Sequence, residues 1–268
     1  MPSPCQRGYT RTAMTPRAPE PWRVCVTHDE GPGGPLASAL AACGFRPVFC
    51  PVLEERPADR PDRVASVAAR LEDFDWVICA SARAVRALAA ARQAPWPRGV
   101  RTAAVGRRTG DTLIRAGAHP APLVAEGDGA EALWQVLDRA AEWHDRRVLV
   151  ATTPGGRRTL IEALRGAGAR VDEVEAYRMC PRDTQAIAAD WTTARPDAVV
   201  IASPRAAAVL AGAVGVASLK QLEAVMAIGP TTAEALATLE VPCLVAPRAD
   251  FGEAAHALES VRAERTVP

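Results

Sequence analysis

The chain has 268 residues, a formal net charge of +1 and 49% apolar residues, enough for two domains of ordinary size with sizeable cores. Near-neutrality removes the broad positive field that drives general nucleic-acid binding, so an anionic ligand has to be held by local groups. No apolar run approaches the ~20 residues needed to cross a bilayer, so neither nucleic acid nor membrane is expected as a partner.

Residues 1–21 are rich in Pro and Arg and lack both periodicity and the apolar stretch of a secretory signal. They read as a disordered tail, with Met14 as an alternative start. The seven cysteines (Cys5, Cys25, Cys43, Cys50, Cys79, Cys180, Cys243) are scattered and form no C-x-x-C pair, which reads as buried, reduced thiols in a cytoplasmic protein. The four histidines, His28, His119, His144 and His256, have no ligand-like spacing, so no metal is expected.

From Arg23 onward, short β-branched runs alternate with Ala/Leu/Arg-rich helical stretches, the pattern of βα units around a parallel sheet. The pattern repeats internally. Segment A runs strand, glycine turn, helix, Gly, strand; it starts at Arg23 and again at Arg147, with Gly44 matching Gly168. Segment B starts at Trp76 (WVICASARAVRAL) and again at Ala198 (AVVIASPRAAAVL), and Gly106 and Thr109 of the first copy match Gly229 and Thr232 of the second. The chain order is therefore A, B, A, B.

The junctions indicate which segments fold together. Both A-to-B junctions, 54–62 and 178–183, carry proline and alternating charge and read as interdomain linkers. The B-to-A junction, 142–147, lacks Pro and Gly and reads as a tight turn inside one domain. The expected fold is α/β, with two flavodoxin-like parallel-sheet domains joined by a two-strand hinge. One domain is discontinuous, 22–53 plus 184–268; the other is continuous, 60–178. The ligand is expected in the cleft between them. Pairing each A with its own following B is the alternative topology.

Small and hydroxyl residues stand where strands turn into helices: Ser81, Thr109, Thr152, Ser203, Thr231 and Thr232. In open α/β sheets ligands bind at the carboxyl ends of strands, where helix N-termini offer unpaired N–H groups and a positive dipole end to carboxylates. Each residue alone also reads as a helix cap. Ser203 before Pro204 is a good N-cap with proline at the first helical position, and Thr231 with Glu234 has the spacing of a capping box. Several such ends together suit a polyanion. No G-x-S-x-G, H-E-x-x-H, complete G-x-G-x-x-G or Walker A motif occurs, so the chain reads as an enzyme with no cofactor and no metal, or as a binding protein. Tyrosine is confined to Tyr9 and Tyr177. Tyr177, at the start of the second crossover, is the candidate proton donor, or else a hinge aromatic.

Taken together, W-V-I-C-A-S-A-R-A-V, A-V-G-R-R-T, E-A-Y-R, V-V-I-A-S-P-R-A-A and above all A-I-G-P-T-T-A-E-A-L resemble the uroporphyrinogen-III synthase family, over nearly everything from 22 to 262. The resemblance implies a cofactor-independent hydro-lyase of haem biosynthesis. Such an enzyme closes hydroxymethylbilane into uroporphyrinogen III, inverting the last pyrrole ring and losing water through an azafulvene and a spiro-pyrrolenine. It further implies Tyr177 as proton donor, Thr231 and Thr232 as cleft threonines, Ser81 and Ser203 as strand-end serines, a monomer, and transient docking with hydroxymethylbilane synthase. The sequence departs from the family where Arg-Pro often follows the first strand; here Thr27-His28-Asp29 stands. It departs again at Cys79-Ala80-Ser81, where an aromatic and Thr often precede the serine. The competing readings are a non-catalytic tetrapyrrole sensor or regulator of the same fold, and a two-domain small-molecule receptor, against which the missing signal sequence counts.

Overall fold

The computed structural model describes residues 20–125, 130–154, 156 and 158–266; all but the last two residues of the segment read as a tail lie outside them. In chain order the elements begin with β1 (Arg23–Val26), α1 (Pro35–Ala42) and β2 (Arg46–Phe49). A second stretch carries β3 (Leu53–Pro57), α2 (Pro61–Ala68), β4 (Trp76–Cys79), α3 (Ala82–Arg92), β5 (Arg101–Ala104), α4 (Arg107–Arg115), β6 (Leu123–Val124), α5 (Ala130–Ala140), β7 (Arg147–Thr152), α6 (Arg158–Gly166), β8 (Arg170–Glu175) and β9 (Tyr177–Pro181). The chain then continues through α7 (Thr184–Ala194), β10 (Ala198–Ile201), α8 (Pro204–Val214), α9 (Val216–Lys220), β11 (Ala224–Ala227), α10 (Pro230–Thr238), β12 (Leu244–Val245) and α11 (Phe251–Thr266).

Two compact units result: Met1–Val52 with Arg182–Pro268, and Leu53–Pro181. The discontinuous unit holds a parallel five-stranded sheet ordered β12-β11-β10-β1-β2. The inserted unit holds a second parallel sheet ordered β6-β5-β4-β7-β8. Numbered along its own unit, the first is a flavodoxin-like 2-1-3-4-5 sheet. The second has the same layout once its chain is imagined to start at β7, so it is a circular permutation of the first. The segments read as linkers overlap β3 and β9, which pair antiparallel from Leu53↔Pro181 to Pro57↔Tyr177.

Helices cover both faces of a parallel sheet, so its central strands read as continuous apolar runs rather than alternating ones. WVIC in β4, AVVI in β10 and AVMA in β11 are buried at every position. The inserted unit has a core on each face of its sheet. One is built on Val77, Leu88, Leu113 and Leu149, the other on Ile78, Leu133, Leu137 and Leu160. In the discontinuous unit Leu36, Leu40, Leu258 and Met226 join one cluster. Each such side chain contributes ~1.5–3 kcal/mol by leaving water. Both A segments end their helix on a left-handed glycine, Gly44 at φ 73° and Gly168 at φ 89°, a conformation that lets the chain reverse into the next strand.

Among the described residues no helix is long and apolar enough to cross a membrane. The six described cysteines are free, four of them buried.

Candidate active site

Three inner strands of each sheet (β1, β10 and β11; β4, β5 and β7) lead at their carboxyl ends directly into helices. Those helices, α1, α8, α10, α3, α4 and α6, share a property that the sequence reading missed: none has an acidic residue in its first turn. Four of them place arginine there instead: Arg83, Arg107 with Arg108, Arg158 and Arg205. The helix dipole makes an acid at this position worth ~0.3–1 kcal/mol and a base correspondingly unfavourable. By contrast α2, α5 and α11 begin with Asp62, Glu131 and Glu253. At α3, α4, α6 and α8 the chain thus gives up local helix stability for positive charge.

In the inserted unit, backbone bonds assemble three of the expected site residues. Ala80 N donates to Ala151 O at 2.9 Å and Ala176 N to Thr152 O at 2.8 Å, which sets Ser81, Thr152 and Tyr177 at neighbouring strand ends. Ser81 is the N-cap of α3, its Oγ accepting from Ala84 N at 3.2 Å. The same hydroxyl donates to Tyr177 Oη at 3.1 Å. Tyr177 is buried, 7% exposed, and paired to Pro57 across the β3–β9 ladder. Glu55 of β3 meets Arg83 at 3.0 Å and Arg86 at 3.5 Å. Thr152 is fully buried at the end of β7. Thr109 sits in the first turn of α4 behind the N-cap Gly106 and is buried.

Ser203, Thr231 and Thr232 belong to the discontinuous unit. Ser203 caps α8 by accepting from Ala206 N at 3.2 Å, with Pro204 in the first turn. The capping box expected of Thr231 and Glu234 does not form. Gly229 is the N-cap and Pro230 follows it, because proline's fixed φ favours the first helical position. Thr231 therefore lies inside the helix and exposed, while Thr232 is buried.

The first strand's departure from the family pattern has a structural counterpart. Glu30 folds back onto α1, accepting from Ala37 N at 2.7 Å and Leu36 N at 3.4 Å. His28 Nε2 lies 2.8 Å from the same carboxylate, and its ring stacks on Phe251 at 5.0 Å. A Cβ on Gly34 would stand 2.4 Å from Glu30 Cδ, so glycine is required for this close approach. The N-terminus of α1 is occupied by the chain's own anion. Thr27, also unforeseen, is buried and donates to Val200 O at 2.9 Å, tying the ends of β1 and β10. No local pattern in the sequence marks Glu30, which reaches amides six and seven residues downstream.

Two further groups bear on chemistry. Burial pushes the Cys79 thiol up to about 12, which keeps it protonated and inert beside the site. Against the expectation from histidine spacing, one group among the described residues could hold a cation: Cys43, His256 and Glu259.

The family model for Uroporphyrinogen-III synthase HemD matches residues 34–255. A uroporphyrinogen-III synthase of Synechococcus elongatus is 32% identical over 165 residues, 59% of this chain and 61% of that protein; the aligned part is thus less than two thirds of the relative's length. Two solved structures share the fold. Uroporphyrinogen III synthase from Thermus thermophilus (a triple mutant) aligns with TM-score 0.55 at 20% identity over 91% of this chain and 99% of that one. Uroporphyrinogen-III synthetase from Helicobacter pylori aligns with TM-score 0.59 at 15% identity over 90% and 100%.

Proposed function

Since the chain belongs to the uroporphyrinogen-III synthase family, we propose that it cyclises hydroxymethylbilane to uroporphyrinogen III. The observation that carries this reading is the charge pattern at the inner-strand ends. The first turns of α4, α6 and α8, which carry no acid and hold Arg107, Arg108, Arg158 and Arg205, suit the acetate and propionate groups of a linear tetrapyrrole. Ser81, Thr109, Thr152, Ser203, Thr231 and Thr232 add hydroxyls among them.

Tyr177 is the proton donor in this scheme. Ser81 Oγ accepts from Ala84 N–H and lies 3.1 Å from Tyr177 Oη, which fixes the position of the phenol. The C–O bond of the terminal hydroxymethyl group breaks as the pyrrole nitrogen pushes electrons, and the phenol proton leaves with hydroxide as water. The substituted α-carbon of the last pyrrole attacks the azafulvene so formed, giving the spiro-pyrrolenine; that ring's original methylene bond then breaks, its free α-carbon closes on the second azafulvene this leaves, and the proton lost as the last pyrrole regains aromaticity returns to the phenolate. The Ser81 hydroxyl stabilises the phenolate meanwhile. Neither a cofactor nor a metal takes part, and the enzyme acts in the cytoplasm as a monomer.

The test is direct. Freshly generated hydroxymethylbilane is added to the protein, and the product isomers are separated after oxidation to porphyrins. Uroporphyrin III is expected in excess over the spontaneous isomer I. Isomer I alone, with bilane nonetheless bound, would make the chain a sensor of the same fold.

A further inference from the structure

We propose a zinc site formed by Cys43, His256 and Glu259 in the discontinuous unit, separate from the strand ends where the reaction is placed. One donor atom from each residue lies within 4.8 Å of the other two. The two elements that supply them pack together in one cluster, Leu36 and Leu40 of α1 against Leu258 of α11. His256 and Glu259 stand three apart on α11, a spacing that puts both side chains on one face of a helix. Cys43 is the C-cap residue of α1, and Gly44 at φ 73° turns the chain away immediately after it. Because α1 leaves the carboxyl end of β1 and returns to the start of β2, its C-cap lies at the amino end of the sheet.

The donor set selects the cation. Thiolate, imidazole and carboxylate together match a borderline-soft divalent ion, and three protein ligands plus a water complete a tetrahedron. Two negative ligands and a neutral imidazole balance a charge of two. Binding replaces one proton, that of the Cys43 thiol, which passes to solvent as the sulfur–metal bond forms. Without metal the thiol holds that proton firmly, since burial and the facing Glu259 carboxylate push its pKa up. Arg262 is the neighbouring cation. Its guanidinium donates to the carbonyls of Cys43 and Gly44, each at 3.0 Å, and lies over the Phe45 ring at 4.3 Å, and its charge favours the thiolate.

A nucleophilic role fits the same residues less well. A reactive cysteine needs a lowered pKa and an accessible thiolate, whereas Cys43 is buried, 7% exposed, and raised. The half-exposed Glu259 and exposed His256 leave the ion an entry path from solvent. Bound zinc clamps α11 to α1 and acts on stability rather than on turnover.

The experiment uses the full chain, stripped with chelator and dialysed. Zinc chloride is expected to bind and to raise the melting midpoint, on the order of 5 °C at saturation. Cobalt(II) at the same site is expected to give a near-ultraviolet sulfur-to-metal charge-transfer band. Cys43→Ser should abolish the band, and His256→Gln and Glu259→Gln should each weaken zinc binding at least tenfold while leaving the metal-free melting midpoint and the synthase rate unchanged. Absence of zinc binding, a cobalt spectrum without the sulfur band, or binding untouched by all three substitutions would overturn the proposal; the last result would place the metal at another cysteine.

Discussion

Ser81 Oγ lies 3.1 Å from Tyr177 Oη, joining residues 96 positions apart. The serine serves two structures at once, accepting from Ala84 N to start α3 and fixing the phenol. If the phenol supplies the proton, Tyr177→Phe should lower turnover roughly ten- to a hundredfold with KM nearly unchanged, general acids being worth ~100-fold or more. The pyrrole nitrogen can expel hydroxide unaided, which keeps the loss at the low end. A full rate in a stopped assay of isomer III against isomer I would make Tyr177 only a packed aromatic.

Ser81→Ala should do two things that separate in measurement. Loss of the cap should cost ~1 kcal/mol in urea unfolding, and loss of the bond to Tyr177 should lower kcat. Ser81→Thr keeps both acceptor and donor and should restore most of each.

The adjacent threonines of α10 should behave differently. Thr231 is exposed, so Thr231→Ala should leave the melting midpoint unchanged and raise KM ~2–10-fold, the worth of one hydrogen bond. Thr232 is buried at 2% exposure; Thr232→Ala should lower stability by about 1 kcal/mol and raise the share of isomer I by loosening the last ring. Equal kinetic behaviour of the two variants would argue against this assignment.

Glu30→Ala removes the carboxylate that accepts from Leu36 N and Ala37 N. An N-terminal cap of this kind is worth ~0.5–2 kcal/mol, and Glu30→Gln, which keeps an acceptor oxygen, should lose less. Urea midpoints of the two variants decide it; no change in either would mean that water replaces the cap.

Alkaline pH should destabilise the inserted unit through Cys79. Its folded pKa, about 12, stands above the ordinary 9.0, so the unfolded chain loses this proton first. Stability is intact below pH 9 and falls as pH rises toward 12, by about 1.4 kcal/mol per unit. Cys79→Ala should flatten that slope relative to the parent in denaturant titrations at stepped pH.

What could be read from the sequence was whatever short-range pattern encodes. Continuous apolar runs such as WVIC and AVVI mark buried parallel strands, and Ser203-Pro204 marks a helix start, because both depend on neighbours along the chain. Thr231 misled because two adjacent cap signals competed and the proline at 230 won. The Ser81–Tyr177 bond and the Glu30 cap were invisible for a different reason: each depends on where a loop or a distant strand carries a side chain in three dimensions. The arginines of the inner helices were in plain view, but they signify only once it is known which helices follow inner strands.

The permuted insertion also sets a timetable for synthesis. Val24 of β1 pairs with Ala198 of β10, 174 positions later, so the first strand leaves the ribosome long before its central neighbour is made. The inserted unit has no such wait: its two ends meet at Leu53↔Pro181, and all its strands emerge consecutively. The middle of the polypeptide therefore completes its fold while both β1 and β2 still lack a sheet, reversing the usual N-terminal-first order of domain folding. A nascent chain that has emerged from the ribosome as far as residue 185 would carry one finished unit and an open, apolar β1–α1–β2 segment awaiting its other half. Chaperones engaged during translation should meet that segment first.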